Sequence, residues 1–250
     1  MLVVALVAAL LVGCRRPSPR RELLPFSPTA ERVREETRQP GVFYTTYVLQ
    51  LAPEEHGLVA ELWQHVHEGA PEGVSLELRR QNNLRVGLLK EQSGAAAKAV
   101  LERMRTRRIQ AVPTFSPPGK VYYYDCGRLP QPATVFYWPR GDAVTGRSYP
   151  TVALFLAVGA APAGKGAAAF TIAPALSFEA GSPQPIRSLG TVVHCPLGCS
   201  VVVGAVDPQR EERRGFSKLG DFFQAKADVA EEREQVLILT ADAVVLEQDR

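Results

Sequence analysis

Apolar positions along the chain change their spacing at identifiable points. Residues 2–12 are an unbroken apolar run, followed by Gly13 and Cys14. Residues 15–40 are rich in Pro, Arg and Glu and show little apolar periodicity. Residues 42–51, Val-Phe-Tyr-Thr-Thr-Tyr-Val-Leu-Gln-Leu, are aromatic and β-branched and predict a strand. Leu58, Val59, Leu62, Trp63 and Val66 then recur at helical spacing. Pro53-Glu54-Glu55 suits the start of that helix, because Pro fits a first turn and acids fit its positive end. Gly69 and Pro71 stop it. Residues 75–81 predict a second short helix, 84–89 a strand, and 94–107 a helix with Ala97, Val100, Leu101 and Met104 inward. The order strand, helix, strand, helix predicts an α/β unit over 41–108 with its helices on one sheet face.

From Ile109 onward helical periodicity disappears, and Pro and Gly punctuate every few residues. The candidate strands are 109–112, 120–124, 134–138, 151–158, 168–176, 191–194, 200–206 and 235–246. Residues 109–250 therefore read as a mainly β domain, a sandwich or a curled sheet. The fold class is α+β: a small βαβα unit followed by a mainly β domain.

Length and charge narrow the function. The chain has 250 residues, 46% of them hydrophobic, enough for one large or two small domains. A net charge of +3 gives no electrostatic case for nucleic acid. Residues 1–14 are too short to span a bilayer as a helix, which takes about 20 residues, but have the length of a signal-peptide apolar region. Leu11-Val12-Gly13-Cys14 resembles a bacterial lipobox. That resemblance implies cleavage before Cys14, a diacylglycerol thioether on its sulfur, and attachment to a membrane through the lipid. No Lys or Arg precedes the apolar run, a departure from the usual signal. Arg15, where an Asp would retain the protein in the inner membrane, implies the periplasmic face of the outer membrane. Residues 15–40 then serve as a flexible linker, in which residues 30–38 could form a short charged helix.

The second half resembles a degenerate bacterial secretin domain, the core of outer-membrane ring proteins in secretion and pilus systems. Arg107-Arg108-Ile109-Gln110-Ala111-Val112-Pro113-Thr114 is similar to the family's starting Pro strand. Residues 118–127 resemble the following strand over a Gly turn. Residues 149–158 and 168–178 resemble its long hairpin, and 192–204 its Gly-turn hairpin. Leu219-Gly220-Asp221-Phe222-Phe223 resembles the family's Leu-Gly-x-Leu-Phe knot, and 235–245 its closing strand. Residues 82–101 are similar to the small ring-building domains that precede such a core, and equally to the opening of the core domain itself. The resemblance implies a scaffold that oligomerises and meets secretion or pilus machinery proteins. Three departures stand out: Gly204-Ala205 replaces a double Gly, no Pro precedes Leu219, and Ala241 stands where Pro is usual. Residues 134–138, broken by Pro139 and Gly141, are too short for a pore-lining strand of about 9–11 residues, so channel function is not carried over.

No residue set assembles a convincing active site, and no catalytic residue, cofactor or metal is assigned. Residues 159–165 match the spacing of a phosphate-binding loop, yet Gly166 replaces the Ser or Thr that holds magnesium, and 167–172 reads as strand rather than helix. His65, His67 and His194 with Cys195 and Cys199 sketch a zinc site, at loose spacing. Cys195 and Cys199 flank Pro196-Leu197-Gly198. A three-residue hairpin there would set them opposite each other with Cα atoms about 4.5–5.5 Å apart, within disulfide range. A Cys195–Cys199 bridge is expected, with Cys126 free; the alternatives are three reduced thiols or a bridge to Cys126. Tyr122, Tyr123, Tyr124, Phe136, Tyr137 and Trp138 fall in strands, where an exposed subset would mark a binding surface. The expectation is a non-enzymatic, lipid-anchored envelope protein acting in assembly or protein–protein contact. The alternative is a periplasmic lipoprotein that binds a small molecule or glycan.

Overall fold

A computed structural model describes residues 39–52, 55–89, 94–103, 108–129, 133–178, 181–206, 216–224 and 234–246. The apolar leader, the lipobox with Cys14, the 15–38 part of the linker and the end of the 94–107 helix lie outside the described residues. What is described is mainly β with few short helices: a β/α alternation first, antiparallel sheets after it.

The first strand, β1 (Gly41–Leu51), is largely apolar, is buried on both faces and sits inside a six-stranded sheet. Continuous apolar character is what a strand covered on both sides requires. Helix α1 (His56–Gln64) buries Val59, Leu62 and Trp63. After it come the two-residue strand β2 (Val66–His67) and helix α2 (Leu76–Gln81), whose Ser75 side chain accepts from the Leu78 N–H as an N-cap. Strand β3 (Leu84–Leu89), helix α3 (Gly94–Arg103) and strand β4 (Arg108–Ser116) follow. The mainly β remainder contributes β5 (Val121–Leu129), β6 (Ala133–Arg140), β7 (Ala143–Tyr149), β8 (Val152–Pro162) and β9 (Ala167–Phe178). It ends with β10 (Gln184–Pro185), β11 (Thr191–Pro196), β12 (Ser200–Ala205), β13 (Phe216–Lys218) and β14 (Glu234–Val245).

Sheet order differs from chain order. The six-stranded sheet runs β2-β3-β12-β14-β1-β4, so two C-terminal strands separate β1 from β3. Strands from both sides of residue 108 thus share one sheet. Alternation sorts its side chains into two cores. Tyr47, Leu49, Leu51, Val202, Val236 and Ile238 meet α1 and α3 on one face. Val42, Tyr44, Val201, Val203, Leu237 and Leu239 meet Leu154, Leu156, Phe170 and Ile172 of a second sheet on the other. That second sheet runs β10-β9-β8-β5, with β11 also on β9. Helices, first sheet and second sheet form three layers.

The end of the sandwich is closed by a third sheet, β13-β6-β7, and by a 3₁₀ turn, Leu219–Gln224. Leu219, Phe222 and Phe223 of that turn are each at most 1% exposed. Gly220 lies so close to Asn83 that an added Cβ would overlap its carbonyl oxygen. Around this approach, Gly220 N–H donates to Asn82 O (2.9 Å) and Asn83 Nδ2 to Asp221 Oδ1 (2.6 Å). Lys218 N–H donates to Asp221 Oδ2 at 2.7 Å. Asn83 itself holds φ +58°, a conformation Asn tolerates better than most residues. The neighbouring Asn82 is fully buried; its side chain accepts from Trp138 N–H and donates to the Trp138 and Leu78 carbonyls, tying α2 to β6.

Two sequence expectations change here. The pair β6–β7 joins into a hairpin although the sequence shows only a short broken run, because a register shift between Tyr137 and Arg140 absorbs Pro139. The hairpin expected across 191–206 does not form. Strand β11 pairs with β9 in one sheet and β12 with β14 and β3 in the other, so Pro196-Leu197-Gly198 crosses between sheets. Cys195 therefore sits opposite Ala168, not Cys199.

Candidate functional site

The outer face of the second sheet is the candidate interaction surface. Alternate residues of β8 and β9 point into the core, so Ala153, Phe155, Ala157, Gly159 and Ala161 point out, beside Ala169, Thr171, Ala173 and Ala175. Neither strand contributes a charged residue to this face. Both longer helices pack on the far side of the other sheet; on this face Ala153, Ala157, Ala173 and Ala175 are buried and Thr171 is exposed. Strand β5 borders this face and presents Val121 and Tyr123, 42% and 41% exposed. These are two of four large apolar side chains exposed among the described residues, and they are next-but-one neighbours on one strand.

The other tyrosines of β5 face the gap between the sheets. Tyr122 Oη donates to the Phe115 carbonyl at 2.6 Å. Tyr124 Oη lies 3.0 Å from Tyr44 Oη and 3.4 Å from Thr114 Oγ1. Burial pushes the Tyr44 hydroxyl well above the ordinary tyrosine value, helped by Tyr124 beside it, so it stays neutral. These bonds tie β5 to β4 and β1. Of the remaining expected aromatics, Phe136, Tyr137 and Trp138 are half-buried. Phe136 lies against Gly146 across the β6–β7 pair, and Trp138 lies under the Lys218 ammonium at 5.4 Å. The six aromatics do not form one platform.

A second cluster, absent from the sequence reading, lies on the helix side of the first sheet. His56 Nδ1 is 2.6 Å from Oε2 of Glu234, which is 1% exposed at the start of β14. Burial raises the Glu234 carboxyl above its ordinary value, with His56 and Arg85 only partly opposing it. Arg85 donates to both oxygens of Glu68, at 3.0 and 2.6 Å, and its guanidinium stacks 4.1 Å from the Trp63 ring centroid. Burial draws the Glu68 carboxyl upward, but Arg85 and Arg80 together outweigh it and hold the carboxyl below its ordinary value. Arg79 Nη1 and Nη2 donate to the Val86 and Glu68 carbonyls, which fixes α2 against β3. His56 and Glu234 are 178 positions apart, so no local pattern could have paired them.

The residues singled out from sequence scatter. His67 and His194 are exposed on different strands, and Cys195 is buried. Among the described residues no group of three or more His, Cys, Asp or Glu could hold a metal ion. Residues 159–165 form the end of β8 and the turn into β9, closed by Ala163 N–H on Ala167 O. No helix follows to present amides to a phosphate. Burial raises the Cys195 thiol to about 12, with Cys199 nearby adding to the rise, and pushes Cys126 up further. No disulfide joins cysteines among the described residues. Lys98 and Arg103 lie on the exposed side of α3, where Arg103 pairs with Glu61 of α1, and Arg107 lies outside the described residues.

No described helix is long and apolar enough to cross a membrane. No family model, no curated protein and no solved structure matches this chain.

Proposed function

We propose that this chain is a lipid-anchored envelope protein with a secretin-like scaffold, non-enzymatic, that works by protein–protein contact. The observation that carries the contact reading is the pair Val121 and Tyr123, exposed on one strand at the uncharged border of the second sheet. Apolar side chains grouped on one strand, beside a face without charge, suit an interface better than a solvated surface. The anchor rests on Leu11-Val12-Gly13-Cys14 alone. Partners are then other envelope proteins, with secretion or pilus components as first candidates and the outer membrane as the site. The glycan-binding alternative needs several exposed aromatics side by side. Tyr123 is the exposed one of the six considered, and Tyr122 and Tyr124 are spent on bonds inside the sandwich.

The anchor is tested by expressing the full chain in a Gram-negative host with labelled palmitate. Label should enter the protein, and Cys14→Ser should abolish both labelling and membrane retention. A Ser variant that stays equally membrane-bound would place the anchor elsewhere.

A further inference from the structure

We propose that the free edge of β5 is a docking site for a second copy of this chain, joined antiparallel through Val121 and Tyr123. This rests on the contact reading above and names its partner.

Hydrogen-bond parity exposes the edge. In an antiparallel pair, opposed residues alternate between those that exchange N–H and C=O bonds and those that turn these groups away. Ala163 donates to Ala167 O in register with the β8–β9 pairs, so the odd-numbered residues of β8 bond to β9. The even-numbered Leu156 and Val158 must then bond to β5, where they lie opposite Tyr124 and Tyr122. Val121, Tyr123 and Asp125 therefore turn their N–H and C=O off the sheet, where no described strand pairs with them. An independent contact agrees: the Gln235 side chain donates to Asp125 O at 3.1 Å. That bond and the bulge between Asp125 and Gly127 close the far half of the edge. The open part is Val121 to Tyr123, which are also the residues with exposed apolar side chains.

The other edges carry features that discourage pairing: β11 is already bridged by Glu72 at Val192 and ends in Pro196, and β13 has three residues with Lys218 at its end. Strands β2 and β10 have two residues each. Strand β4 contains Pro113, which has no N–H to donate, and β7 carries Arg147. The open part of β5 has neither Pro nor charge.

The same short stretch fits itself. A two-fold axis at Tyr122 sets Val121 opposite Tyr123 of the second copy, and the reverse. Each such pair can exchange both backbone bonds, and each is an aromatic–β-branched pair of the kind that stabilises sheets. Lys120 meets Tyr124 of the second copy, so no like charges are opposed. This isologous contact closes on itself and does not propagate. Two residues a side bury far less than the roughly 800 Å² per partner of a stable interface. The dimer is therefore weak in solution and favoured by the high local concentration a shared membrane anchor supplies.

The test is sedimentation of the full chain in density-matched detergent micelles, from micromolar to millimolar protein. A concentration-dependent dimer is expected. Tyr123→Pro removes the outward N–H while leaving the β8 bonds intact, and should weaken the dimer about tenfold or more. Tyr123→Lys keeps the backbone and adds a cation from each copy; it should do the same with an unchanged melting temperature, which covers the case in which the Pro variant fails to fold. A monomer at every concentration overturns the proposal, as does a Lys variant that dimerises like the parent. Loss of palmitate labelling with the dimer intact would remove the anchor alone, whereas a labelled monomer would remove this docking site alone.

Discussion

Replacing Gly220 by Ala isolates the approach that closes the sandwich. A Cβ there would overlap the Asn83 carbonyl oxygen, with the Asn83 carbonyl carbon and Cβ close behind. Two of these three atoms are backbone, so no rotamer change relieves the overlap. Residues 219–224 must instead withdraw from residues 82–83. Withdrawal stretches the Gly220–Asn82 and Asn83–Asp221 contacts and lifts Leu219, Phe222 and Phe223 partly out of the core. Two hydrogen bonds at about 1 kcal/mol each set one contribution. Fully exposing one of the three side chains would add about 1.5–3 kcal/mol. Partial loss of both gives about 2–4 kcal/mol, toward the upper end of the effects of a single substitution. Gly119→Ala provides the contrast. Gly119 has φ +81° but nothing near its Cβ, so only backbone strain of about 1–2 kcal/mol is expected. Urea unfolding followed by the fluorescence of Trp63 and Trp138 reads both variants. A Gly220→Ala protein no less stable than Gly119→Ala would refute the close approach.

Glu234, which is buried, and Glu68, which is half-buried, should give pH dependences of opposite sign. Glu234 is raised above 4.5 by burial, so its protonated form is favoured on folding; its contribution is present at low pH and is lost as pH rises from 4.5 through the folded value. Glu68 is lowered by Arg85 and Arg80, so its contribution is present above 4.5 and is lost as pH falls through the folded value. Stability measured against Glu234→Gln and Glu68→Gln across acid pH should therefore show a falling and a rising difference with pH; two slopes of the same sign would be inconsistent with these environments. Alkylation without reductant should label Cys195 and Cys199 together once the chain is unfolded, and label Cys126 and Cys195 slowly while it is folded. A joined, unlabelled 195–199 peptide would restore the bridge expected from sequence.

Local chemistry already determined much of the strand and helix content. Residues 42–51, 75–81 and 84–89 read as the elements they form, because their apolar spacing and the Ser75 cap act over a few residues. Long antiparallel strands β8, β9 and β14 were legible for the same reason, with ends misjudged by a few residues. Strand β7 was not legible: six of its seven residues are not buried, so no apolar alternation marks it, and pairing with β6 decides it. Order within the sheets was also beyond local reading. That β12 and β14 lie between β1 and β3 depends on which apolar faces fit together across more than a hundred residues. The cysteine turn illustrates the limit. Pro196-Leu197-Gly198 has the composition of a hairpin, and Gly198 does take φ +79°, yet the chain uses the turn to change sheets. The same holds for the surface: sequence placed Tyr122, Tyr123 and Tyr124 on one strand, but only the packing of β5 between β8 and open solvent decided that two of them close the sandwich while Tyr123 faces outward. Periodicity fixes which residues share a face; what covers that face is set by elements distant in sequence, through burial that no local pattern encodes.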